Sequence, residues 1–62
     1  MSPDKIKAMR QGLKLSQQEL ADTIGVSVRT ITNWEKGDSK PMRVFEGKLE
    51  YLYRRYVKEI GQ

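Results

Sequence analysis

Apolar residues recur at helical spacing along nearly the whole chain, and no useful length of it alternates as a strand would. Ile6, Met9 and Leu13 stand at i, i+3 and i+7, one face of a first helix. Leu20, Ala21 and Ile24 form the apolar face of a second. Ile31 and Trp34 lie on one side of a third. Phe45, Leu49, Leu52 and Tyr56 repeat at i, i+4, i+7 and i+11, with Val57 and Ile60 on an adjacent stripe. The pattern predicts an all-α fold.

The ends of these segments carry their own signals. In Ser2-Pro3-Asp4, Ser2 suits a cap, Pro3 suits the first helical position, and Asp4 complements the positive helix end. Gly12 points to a stop near the end of that helix. Ser16-Gln17-Gln18-Glu19 fits a capping box, in which the Ser16 hydroxyl and the Glu19 carboxylate each take a backbone N–H of the other. Gly25 suits a left-handed stop, and Val26 is an apolar residue placed to pin the turn. Ser27 caps a third helix that runs to Lys36 and closes at Gly37. After Asp38-Ser39-Lys40, Pro41 starts another helical region to about residue 60. Gly47 marks a bend or a helix start there, and the run from Lys48 to Ile60, without Gly or Pro, is compatible with one longer helix. Two helices joined by a turn of about three residues containing Gly, over roughly 16–37, have the form of a helix-turn-helix.

The third helix has two unlike faces. With Ile31 inward, Trp34 and Glu35 fall near it and Val28 lies at its edge, whereas Arg29, Thr32, Asn33 and Lys36 lie opposite. On an isolated surface helix such a stripe is an ordinary solvated face. Here it contains no acid. Its residue types read base edges and hold phosphates, and it sits on the second helix of the unit, where a recognition helix belongs.

Composition narrows the rest. A chain of 62 residues holds a single domain. It has no cysteine and no histidine, which leaves no disulfide, no thiolate or imidazole metal site and no imidazole acid–base group. The expectation is a non-enzyme without catalytic residues, metal or cofactor. Twelve Lys and Arg against eight Asp and Glu give +4 and a pI near 9.6, a balance that favours polyanionic partners. No apolar run approaches a membrane span and no signal-peptide core follows Met1, so a cytoplasmic protein is expected, associated with the nucleoid when bound to DNA.

The tract LSQQELADTIGVSVRTITNWEKG, from Leu15 to Gly37, resembles the Cro/C1-type (XRE) helix-turn-helix of phage repressors and bacterial regulators. The opening SQQELA, the Gly-Val-Ser turn and the WExG close stand in register, and the likeness runs from about Met9 to Pro41. It implies a lambda-repressor-like compact bundle of four to five helices that docks its third helix in the major groove. The resemblance places Val28, Arg29, Thr32 and Asn33 at base-facing positions. Gln17, Ser27, Lys36, Lys40 and Arg43 match positions that meet the sugar-phosphate backbone, and Arg10 with Glu35 matches a charged pair clamping the first helix to the third. Val28 either packs at the helix edge or touches a thymine methyl. Arg29 pairs with guanine or binds phosphate, and Asn33 pairs with adenine or stays exposed. Trp34, on the Ile31 side, belongs to the core.

The expected function is sequence-specific binding of double-stranded DNA, as a dimeric transcriptional repressor on an operator. Tyr51, Tyr53 and Tyr56, with Val57 and Ile60, make the C-terminal helix either a self-association surface or ordinary core. The alternatives are a DNA-binding antitoxin gripping a toxin partner through that helix, a restriction–modification controller, and a protein-interaction adaptor on the same fold.

Overall fold

The computed structural model describes residues 1–60, with side chains through Val57. Four helices follow one another: α1 Pro3–Gly12, α2 Gln17–Ile24, α3 Val28–Lys36 and α4 Arg43–Ile60. The first three each begin at a serine. Ser2 Oγ accepts from the Lys5 N–H at 3.2 Å and Ser27 Oγ from the Thr30 N–H at 3.2 Å. At Ser16 the capping box closes in both directions, Glu19 N–H to Ser16 Oγ at 3.0 Å and Ser16 N–H to Glu19 Oε1 at 2.8 Å. Each cap satisfies an N–H that has no partner within its own helix.

The same three helices share one kind of ending. Leu15 N–H reaches back to the Arg10 carbonyl, Val26 N–H to that of Ala21, and Asp38 N–H to that of Asn33. Each of these bonds spans five residues and needs a left-handed residue just before the donor. Gly25 (φ 83°) and Gly37 (φ 85°) fill that place as their positions predict. In α1 it falls to Lys14, at φ 59°, rather than to Gly12. Gly12 is the last residue of α1, as the expected stop near it requires, and its missing side chain also makes room for an aromatic ring: a Cβ there would stand 3.1 Å from Tyr53 Cε1.

Every helix contributes to the core. Ile6 and Met9 come from α1, Leu20, Ala21 and Ile24 from α2, Ile31 and Trp34 from α3, and Leu49 from α4. Leu15, Val26, Phe45, Leu52 and Tyr53 pack around them half-buried, and the Phe45 ring sits 5.8 Å from that of Trp34. Val26 thus fixes the α2–α3 turn as its place suggested, and Leu13 is only half-buried.

The C-terminal third departs from expectation in two ways. The helix starts at Arg43, two residues after Pro41: Pro41 is buried, and the Met42 carbonyl is the first acceptor, for the N–H groups of Phe45 and Glu46. Gly47 neither bends nor begins a helix but lies exposed inside α4, which runs as one piece because Phe45, Leu49 and Leu52 anchor it across that point. The described residues therefore make four helices, within the four to five expected, with the C-terminal run as the one longer helix it allowed. Tyr53 and Tyr56 are half-buried, whereas Val44, Tyr51 and Val57 are exposed; the side chain of Ile60 lies outside the described residues.

Two substitutions test these backbone assignments through thermal or denaturant unfolding. Lys14→Gly relieves a left-handed lysine and should raise stability by up to about 1 kcal/mol, the gain being offset in part by the freer unfolded chain. A Cβ at Gly47 meets nothing within 4 Å. Gly47→Ala should therefore stabilise by roughly 0.5–1 kcal/mol, and a loss instead would mean that α4 is broken there.

Candidate nucleic-acid interface

The orientation of α3 follows from what it buries. Ile31 and Trp34 point into the core, and Val26 holds the turn before it. The opposite side is left outward. Arg29 and Lys36 are exposed there, Thr32 and Asn33 are half-buried, and Val28 at the edge is 37% exposed. Val28, Arg29, Thr32 and Asn33 thus share one accessible surface, with no acidic residue among them. Arg29 is free to swing across it, whereas Thr32 Oγ1 is tied to the Val28 carbonyl at 3.0 Å.

The start of α2 is brought against this surface. Gln17 is half-buried, with its Oε1 3.4 Å from Thr32 Oγ1 and its Nε2 donating to Glu35 Oε1 at 3.1 Å. Ser27 is exposed, and its hydroxyl is shared between the cap and Thr30 Oγ1 at 3.0 Å. Lys40 on the following loop and Arg43 in the first turn of α4 are exposed and stand apart from α3. Lys36 lies 3.8 Å from Asp38, both largely in solvent, a pairing worth little. The predicted base-facing residues and Gln17 therefore assemble into one patch, while Lys36, Lys40 and Arg43 are exposed on α3, the following loop and α4.

Sequence reasoning missed one participant. Glu35 pairs with Arg10 as anticipated, Nε to Oε2 at 2.6 Å and Nη2 to Oε1 at 3.1 Å, but its Oε1 also holds Gln17. Arg10 Nη1 donates besides to the Leu15 carbonyl at 2.9 Å, fastening the turn before α2. The two charged side chains are only 13% and 6% exposed. The signal was available in the helical register, which sets Glu35 beside Val28 on the edge of α3 nearest α2, but nothing in the spacing shows that Gln17 reaches it.

Burial alone would push the Glu35 carboxyl up. The hydrogen bonds from Arg10 and Gln17, with the charges of Arg10 and Lys7, outweigh that and hold it below the usual carboxylate range. The bond to Glu35 likewise raises the Arg10 guanidinium, against its own desolvation. Glu19, in the capping box, is lowered by the Ser16 backbone and hydroxyl.

Removing one partner of a fully buried pair costs roughly 3–5 kcal/mol, because the other charge is stranded; this pair is partly buried, so its cost lies below that range. A 62-residue domain has on the order of 3–9 kcal/mol in total, at about 0.05–0.15 kcal/mol per residue. Arg10→Ala should therefore leave a folded but clearly less stable chain, with a lowered unfolding midpoint by circular dichroism. A carboxylate lowered on folding stabilises above its unfolded pKa, about 4.3, and that contribution is lost as pH falls through the lower folded value. Stability should decline below about pH 4.3, and Glu35→Gln, though weaker at neutral pH, should show a flatter acid limb.

Residues 6–42 match the family model described as Helix-turn-helix, which covers more than half the chain. An alignment 39 positions long, covering 58% of the chain, is 46% identical to the Type II methyltransferase M.SsoII of Shigella sonnei and spans 10% of that protein. No solved structure gives a significant match. No helix among the described residues is long and apolar enough to cross a membrane. With Leu20, Ala21, Ile24, Val26, Ile31 and Trp34 packed as the likeness requires, and the outer side of α3 left open, the chain belongs to the Cro/C1-type helix-turn-helix family of DNA-binding domains.

Proposed function

We propose that this protein binds a specific double-stranded DNA operator and acts as a cytoplasmic transcriptional repressor by occupying it, without catalysis. The observation that carries the proposal is the acid-free outer surface of α3, with Gln17 hydrogen-bonded against its edge. Arg29 has the reach and the paired donors to grip guanine O6 and N7, Val28 suits a thymine methyl, and Thr32 and Asn33 complete the base-reading set. Gln17, Ser27, Lys36, Lys40 and Arg43 hold phosphates, and the three cations and the hydroxyl and amide groups among them supply affinity rather than sequence preference.

One helix-turn-helix covers too little DNA for high affinity. Two copies on half-sites about 34 Å apart remedy this. The exposed Val44, Tyr51 and Val57 on α4 favour that helix as the contact between copies.

A second reading draws on one observation, the 39-position likeness to a Type II methyltransferase. It favours a controller of a restriction–modification system, which binds DNA through the same surface. The two are separated by the operator recovered from a random duplex pool: a controller's site lies upstream of modification genes.

Two variants test the division of labour. Arg29→Ala should cost about 1–3 kcal/mol on the selected duplex and relax preference at one base pair. Lys40→Ala should weaken all duplexes alike and lower the slope of log affinity against log salt by about one. Unchanged base preference in Arg29→Ala would remove that residue from base reading.

A further inference from the structure

We propose that Glu35 is a positioning residue for DNA binding, setting which end of the Gln17 amide is offered to a phosphate. The inference rests on the phosphate-holding role proposed above for Gln17. Its basis is a chain of groups whose hydrogen-bonding sense admits only one arrangement. Arg10 only donates, and an ionised carboxylate only accepts. Glu35 therefore receives Arg10 on both oxygens, at 2.6 and 3.1 Å, and whatever else meets its Oε1 must be a donor. The Gln17 amide meets it at 3.1 Å, so that end is the NH2 group. The other end, Oε1, then faces the Thr32 hydroxyl at 3.4 Å, whose single proton is shared with the closer Val28 carbonyl at 3.0 Å, so it is the contact with Glu35 that sets the amide's sense.

The consequence lies at the surface. Nε2 carries two N–H bonds and spends one on Glu35, so the second is left for an anionic oxygen. The reverse orientation would set a carbonyl oxygen against a carboxylate and present an acceptor to the phosphate, repulsive at both ends. Glu35 is only 6% exposed and is fixed by Arg10, so it supplies a rigid reference that Gln17 obeys before DNA arrives. Replacing Glu35 by Gln breaks the logic: Arg10 would claim the single carbonyl oxygen of the new amide, leaving its NH2 toward Gln17, whose own amide would have to turn over.

This runs against simple electrostatics, and that makes it testable. Loss of a carboxylate near a polyanion should tighten binding; loss of the reference should weaken it. Wild type, Gln17→Ala, Glu35→Gln and the double variant are titrated by fluorescence anisotropy with the duplex that wild type selects from a random pool, each concentration corrected for the folded fraction. Gln17→Ala should bind about tenfold more weakly. Glu35→Gln should be weakened several-fold despite its extra positive charge, and the double variant should be no weaker than Gln17→Ala alone. If Glu35→Gln does not fold, Arg10→Met with Glu35→Leu, which leaves no stranded charge, carries the same expectation. Glu35→Gln binding as tightly as wild type or tighter, independent losses in the double variant, or a Gln17→Ala that binds like wild type each overturns the positioning role while DNA binding stands. A wild type that selects no duplex overturns the function on which it rests.

Discussion

The carboxylate of Glu35 joins three segments whose apolar faces already share one core. It takes two hydrogen bonds from Arg10 on α1 and one from Gln17 at the start of α2, and it is itself carried on α3 beside the outward face. Arg10 extends the connection to the Leu15 carbonyl, so the turn between α1 and α2 is tied to the same pair. In so small a core, apolar packing alone leaves helices some freedom to slide, whereas a two-point charged pair has one geometry. The angle between α2 and α3, on which the shape of the candidate DNA surface depends, is thereby set from the buried side by Val26 and from the rim by Glu35.

This arrangement couples stability to the interface. The pair contributes most of its stabilisation by avoiding a stranded charge, and a chain of this length has little to spare. The same carboxylate that keeps α1 on α3 also holds Gln17. The serine caps and the left-handed helix ends play a complementary part, since they make each helix short and sharply bounded and leave the start of α2 close to the middle of α3.

Much of this was legible in the chain itself. Capping residues act through their nearest neighbours, so Ser2, Ser16 and Ser27 identified their helix starts directly. The spacing of Ile31 and Trp34 likewise defined the inward side of α3, and hence the outward one. What escaped depends on contacts distant in sequence. Gly12 marks the end of α1 as read, but nothing near it announces Tyr53 against it, and Lys14 is not a residue type that announces a left-handed turn. Pro41 suggests a first helical position, but its burial assigns it to packing instead. Gly47 suggests a break that the anchoring of α4 on both sides overrides. The tie from Gln17 to Glu35 spans eighteen residues and needs the α2–α3 angle before it can be drawn.

The central claim is that the protein meets DNA through the outer side of α3 and the start of α2. Titration of isotope-labelled protein with its selected duplex, followed by two-dimensional NMR, tests it residue by residue. The account predicts the largest amide shifts at Gln17 and from Ser27 to Asn33, smaller ones at Lys36, Lys40 and Arg43, and the Gln17 side-chain NH2 among the signals that move. Shifts concentrated instead along Lys48, Tyr51 and Arg55 on α4, with α3 unmoved, would contradict it.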